Sequence, residues 1–258
     1  MPRVAADVAV AAAEPVERGR IDPSICATIA YMSSVPVLER RIYGMRDIDL
    51  YLRLPAGTAR RWIDGYTRAG KSYPPVIREE QSGDETASWG EVVETRLLSE
   101  YRDRGVSVQR LRPAVQRLRD ELNTPYPLAH SHTLLDVVGK ELVLRVQQGT
   151  DPDPSLAMVV VRSGQLQLTD PAQHFVDRVS FASGYAASLL GDTEGLVTLD
   201  PLRAMGRWSV RAVPTEVLAE GFRAGESIES LASLYELQID EVTAALRFEM
   251  QQTQPRSA

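Results

Sequence analysis

The sequence predicts an α+β chain that is mostly helical: a basic helical unit, a β-rich middle and a small acidic three-helix end. Three observations predict it. Apolar residues recur at helical spacing from Met45 to about Glu121. The period shortens to that of strands between about Leu134 and Leu199, and helical spacing returns from Pro214 to Met250. These changes divide the chain into a poorly ordered arm (1–38), a first domain (39–128), the β-rich segment (129–199), a three-helix domain (200–250) and a flexible tail (251–258).

The arm lacks sustained periodicity and holds one short apolar patch, Ile25–Tyr31. Met45, Ile48 and Leu52 then share a helix face. Leu54-Pro55 ends that helix, because the proline ring disfavours helical geometry in the residue before it. Ala59, Trp62, Ile63 and Tyr66 make the apolar stripe of a second short helix, with Thr58, Arg60 and Arg61 outside the stripe. Val76–Arg78 and Thr86–Trp89, around the polar Glu79–Glu85 loop, have the pattern of a wing hairpin. A longer helix is expected from Glu91 to Arg104, closed by Gly105, with Ser107 capping the next and Pro113 forcing a kink or a fresh start. In the middle, Leu134–Val138 with Leu142–Val146, and Met158–Arg162 with Leu166–Thr169, look like two hairpins; Val197–Leu199 is a further strand. At the end, three helices are expected to bury Val217, Leu218 and Phe222, then Ile228, Leu231 and Leu234, then Val242, Leu246 and Met250. Ser227 and Asp240 would cap the second and third.

Charge separates the two helical parts. The chain of 258 residues has a net charge of −6, yet Glu39–Arg78 holds nine Lys/Arg against four Asp/Glu, while Val213–Met250 holds two arginines against eight acids. One part attracts phosphate and the other repels it. The single cysteine, Cys26, excludes an internal disulfide and a multi-cysteine metal site. The lack of a long apolar run places the protein, by expectation, in the cytoplasm.

Catalytic patterns are weak, and the chain is not expected to be an enzyme or to carry a cofactor or metal. Gly65–Ser72 fits G-x-x-x-x-G-K-[ST], but that chemistry needs a strand before the loop and a helix after it. A helix is expected before this loop and Tyr73-Pro74-Pro75 follows it, so the helix-start amides that cradle phosphate would be missing. His130 and His132 lie in a polar connection and His174 stands alone between apparent strands, without enough companions for a metal. By contrast, two short helices with a tight turn, the second exposing Arg60 and Arg61, match a helix-turn-helix whose arginines reach guanine edges while neighbours neutralise phosphates.

Tyr43-Gly44-Met45-Arg46-Asp47-Ile48, Thr58-Ala59-Arg60-Arg61-Trp62 and Tyr101–Val108 resemble the MerR-like winged helix-turn-helix DNA-binding domain over about Tyr43–Glu121. Ala59 stands where a larger apolar residue is usual. With the basic pattern, the resemblance implies DNA contacts from Tyr43, Arg46, Arg53, Thr58, Arg60, Arg61, Lys71 and Arg78. Val197–Glu249 is similar to an uncharacterised antitoxin domain through Asp200-Pro201, Gly206-Arg207, Val213–Leu218, Ala224–Glu229 and Ala245-Leu246. Together the two resemble a VapB-type antitoxin. That resemblance implies a DNA-binding homodimer on an operator, a cognate toxin with a PIN ribonuclease domain, and repression of the shared operon. The alternative is a stand-alone transcription regulator whose middle segment responds to a ligand.

Overall fold

The computed structural model describes residues 37–150, 153–163 and 165–253. Helices and antiparallel strands enclose one connected core, an α+β architecture. The expected arm up to residue 36, with Cys26, and the tail beyond residue 253 lie outside the described residues. Leu38, expected in the arm, is 1% exposed and belongs to the core.

Strand β1 (Arg41–Gly44) pairs with β4 (Thr86–Ser88), and this pair closes the base of a long excursion. The excursion carries α1 (Met45–Tyr51), α2 (Thr58–Ile63) and a hairpin of β2 (Tyr66–Arg68) and β3 (Lys71–Tyr73). The expected pairing of Val76–Arg78 with Thr86–Trp89 is not formed, and a hairpin stands instead where none was expected. Val76–Arg78 is no strand at all, because Val76 and Ile77 are drawn into the core and tied by backbone bonds to Trp62. Thr86–Ser88 is extended but pairs with β1.

Helix α3 (Trp89–Arg102) is the central post, buried along most of its length. It starts with a capping box: Ser88 Oγ accepts from the Glu91 amide, and the Ser88 amide donates to Glu91 Oε2 at 2.7 Å. After Gly105, at φ 78°, a 3₁₀ turn over Val108–Leu111 leads into α4 (Arg112–Leu122). Pro113 sits in the first turn of α4, where its missing N–H costs nothing, which is the fresh start the sequence suggested. Ser107 makes no side-chain cap bond.

The first expected middle hairpin is two helices, α5 (Ser131–Leu135) and α6 (Val137–Thr150). Val143 and Val146, one turn apart, are buried, and α6 packs on α4. Gly139 permits the crossing, since a Cβ there would stand 1.8 Å from the His132 carbonyl oxygen. Tertiary docking here outweighs the strand preference of the valines. The second expected hairpin is present as β5 (Val159–Arg162) and β6 (Gln165–Leu168), followed by α7 (Asp170–Val176), which carries His174.

A five-stranded antiparallel sheet follows in the order β11-β10-β9-β8-β7: β7 Val179–Ala182, β8 Tyr185–Leu190, β9 Val197–Leu199, β10 Trp208–Val210 and β11 Val213–Pro214. It runs across the boundary expected at 199–200. Helices α8 (Thr215–Arg223), α9 (Ile228–Leu234) and α10 (Ile239–Thr253) close the fold. Ser227 caps α9 through the Ser230 amide, as expected. Leu218 is fully buried, but Phe222, Leu234 and Met250 face solvent, and Asp240 lies inside the first turn of α10 rather than before it. Two indole N–H bonds tie the halves together, Trp89 to the Ala186 carbonyl at 2.7 Å and Trp208 to the Tyr51 carbonyl at 3.2 Å. Among the described residues, no helix is long and apolar enough to cross a membrane.

Candidate nucleic-acid interface

The α1–α2 pair is built by burial on one side and by a carboxylate between the helices. Met45 and Ile48 of α1 and Ala59, Trp62 and Ile63 of α2 face the core. The turn between them needs left-handed backbone at Arg53 and Gly57, at φ 53° and 76°. Asp49, buried on α1, accepts from the Gly57 amide at 2.6 Å and the Ala59 amide at 2.8 Å. It thus caps α2 from the preceding helix and sets the angle at which α2 leaves the turn.

Below this pair lies an ionic cluster. Arg78 donates to Asp64 at 2.8 Å, to Glu91 at 2.6 Å and to the Thr86 carbonyl at 2.8 Å. Asp64 also accepts from the amide and hydroxyl of Ser82 and from the Gly83 amide. Burial alone would raise the Asp64 carboxyl, but the bonds from Ser82, Arg78 and Gly83 hold it below the usual carboxylate range. The cluster fastens the 76–86 loop to the end of α2 and the start of α3.

Above the pair, the expected DNA contacts divide. Arg46 at the start of α1 and Arg61 on α2 are exposed, and Arg61 is steadied by the Thr58 hydroxyl at 2.8 Å. Arg60 projects with 43% of its side chain exposed and pairs with Glu85, itself 72% exposed. Such a surface pair is weak and can yield to a competing anion. Lys71 is exposed on the hairpin, its ammonium 5.3 Å from the Tyr73 ring centre. Arg53 is half-buried in the turn.

Three expectations are corrected. Tyr43 is 2% exposed, its ring packed on Tyr51 and Trp89, with burial pushing its hydroxyl well above the usual range. Thr58 is 3% exposed and reaches Arg61 rather than solvent. Arg78 is 9% exposed and held by two carboxylates, so its guanidinium serves the loop and not a ligand.

The hairpin adds residues that sequence reading passed over. Ala69 and Gly70 have φ of 50° and 75°, the turn that two-residue hairpins prefer. Register pairs Arg68 with Lys71 at the tip and Tyr66 with Tyr73 at the base, the two rings stacked at 4.6 Å and 6°. Gly65, at φ 74°, fits only without a side chain, since a Cβ would meet the Tyr73 carbonyl oxygen at 2.7 Å. The mirror order Tyr66-x-Arg68…Lys71-x-Tyr73 is the signal for it in the sequence, overlain by the phosphate-loop pattern. That pattern is here a hairpin, with no helix after it. Arg46, Arg61, Arg68 and Lys71 thus give the α1–α2–hairpin unit a positively charged outer surface.

His130, expected in a polar connection, is buried with Nε2 3.2 Å from the Thr124 hydroxyl; burial and the neighbouring His132 push it down to about 4. It is neutral near pH 7. Among the described residues, no group of three or more His, Cys, Asp or Glu could hold a metal ion.

Fold and surface define an α+β protein with a capped helix pair and an arginine-lined outer face. The chain belongs to the family of the uncharacterized protein Rv2308 of Mycobacterium tuberculosis, with 33% identity over 231 residues, 85% of this chain and 94% of that protein. It is also similar to "Putative antitoxin VapB45" of the same organism, 26% identical over 225 residues, or 80% and 92% of the two chains. The crystal structure of Rv2018 from Mycobacterium tuberculosis shares the fold at a TM-score of 0.65 and 24% identity, over 81% of this chain and 99% of that one. No protein-family model matches the chain.

Proposed function

We propose that the protein is a DNA-binding antitoxin that acts by binding and not by catalysis. The α1–α2 pair and its hairpin are read as a winged helix-turn-helix. In this reading α2 enters the major groove, Arg60 and Arg61 meet base edges, and Arg46, Arg68 and Lys71 neutralise phosphates. A homodimer on the operator represses the chain's own operon, and a toxin with a PIN ribonuclease domain is the partner it neutralises. The observation that carries the DNA half is the set of exposed cations on a helix pair that buries Met45, Ile48, Ala59, Trp62 and Ile63 in the core. The likeness to the VapB45 protein supports the antitoxin half.

Fluorescence anisotropy with a duplex from the upstream region, against a scrambled duplex, tests the DNA half. Arg60→Ala and Arg61→Ala are each expected to lower discrimination between the duplexes by about 1–3 kcal/mol. Lys71→Ala is expected to weaken both duplexes alike and reduce the salt slope by about 1. Wild-type discrimination in both arginine variants overturns the reading. For the antitoxin half, co-expression with the adjacent gene product is expected to yield a stable complex that suppresses ribonuclease activity. A neighbour that neither binds nor carries clustered nuclease carboxylates overturns it.

A further inference from the structure

A cleft of about 200 Å³ lies at the end of α1 and the turn that follows it. Four elements place basic groups in it: Arg53 from the α1–α2 turn, Arg96 from α3, His174 from α7 and Arg178 from the entry to β7. Tyr51, Trp208 and Phe248 add aromatic lining, with the Trp208 and Phe248 rings 4.9 Å apart and inclined at 51°. Among the described residues, no carboxylate lines the cleft. Glu100, outside the lining, pairs with Arg96 at 2.5 Å and with His174 at 2.8 Å. An adjoining cleft of about 240 Å³ shares Arg178 and Phe248 and adds Arg247, opposed there by Asp192 and Glu194. Among the described residues, neither Arg178 nor Arg247 has an ion-pair partner.

We infer that this cleft is a binding site for a small aromatic oxyanion, a carboxylate or phosphate carried on one ring. Arg178 leaves a positive charge in the cleft without an ion-pair partner, and an oxyanion taken in a bidentate fashion neutralises it. The aromatic walls supply a surface on which one ring stacks. Cavities of roughly 150 Å³ hold a benzene ring, so the volume suits one ring with its anionic group. A molecule held there touches Arg53, which belongs to the turn that sets α2, and Trp208, which bonds that turn's leading helix at Tyr51. This site is independent of whether the helix pair reads DNA.

Thermal unfolding of the full chain tests it, with 10 mM phenyl phosphate, benzoate or inorganic phosphate, each against sodium chloride of matched ionic strength. One of the two ring compounds is expected to raise the midpoint by about 3 °C, and inorganic phosphate by less than half of that. The rise is expected to vanish in Arg178→Ala and in Arg178→Gln and to persist in Arg68→Ala. Because the readout is the increment with ligand, a shifted baseline in a variant does not obscure it. The larger of the two ring responses tells a carboxylate ligand from a phosphate. No rise with either ring compound, an equal rise with inorganic phosphate, or a rise retained in both Arg178 variants overturns the inference.

Discussion

The two sides of the α1–α2 pair use the same residue type for opposite ends. On the outer side Arg46 and Arg61 stand in solvent; on the inner side Arg78 is 9% exposed and clamped between Asp64 and Glu91. Nothing in the local sequence separates them, since all three lie among apolar residues and turns. The difference is whether carboxylates from other elements converge on the guanidinium. An arginine count along a segment therefore measures available charge, and only the partners decide how much of it faces outward.

The largest effect expected from breaking this contrast follows Arg78→Ala. It leaves Asp64 and Glu91 buried without their cation, and urea unfolding is expected to show a loss of about 3–5 kcal/mol. The same measurement on Arg61→Ala is expected to stay within about 0.5 kcal/mol of wild type. Equal losses in the two variants would erase the distinction between inner and outer arginines.

Helix α3 sharpens the comparison within three residues. Glu91 is bonded by Arg78 and by the Ser88 amide, whereas Glu94, fully buried, receives only the Leu128 amide. Burial pushes Glu94 up to about 7, against the lowering effects of Arg119 and the Leu128 amide. A carboxyl whose folded value exceeds its unfolded value binds more protons folded, so stability falls as pH rises from about 4.5 through 7. Glu94→Gln is expected to add about 2 kcal/mol at pH 8 and almost nothing at pH 4.5, read from unfolding curves at both. A variant equally stabilised at both values would mean that Glu94 is not a proton-linked burden.

Smaller again is the cap. Asp49→Ala frees the buried Ala59 amide and the part-buried Gly57 amide at the start of α2 and is expected to cost about 1–2 kcal/mol. Its effect on discrimination between duplexes should exceed its effect on stability, because α2 loses its set angle. Ser227→Ala, which removes one exposed cap bond on α9, is expected to cost about 1 kcal/mol or less. Reversal of that order would show that the long-range cap is dispensable.

Amphipathic spacing and turn chemistry were legible in the sequence. They placed α1, α2, the Pro113 restart, the Ser227 cap, and strands β5, β6 and β9, because each depends on residues within one or two turns of one another. The α5–α6 pair was misread as strands. Its valines favour either state locally, and docking on α4 at the Gly139 crossing decides for helix. Strands β7 and β8 were missed because their side chains alternate without strong apolar contrast, and their pairing partners complete the sheet. At the candidate site, Arg60 and Arg61 were readable as exposed from their place outside an apolar stripe, and Lys71 from the run of positive charge beyond it. Arg68 escaped under a chance motif, and Tyr43, Thr58 and Arg78 were placed on the wrong side of the surface.

What the sequence by itself determined is where helices start and stop and where charge accumulates, since both follow from short-range geometry and composition. Tertiary structure alone decided which cations remain outward, which carboxylates are buried, and that Arg53, Arg96, His174 and Arg178 share a cleft. The reason is physical: burial and Coulomb energy depend on groups brought together from distant parts of the chain, and those distances exist only once the core has closed.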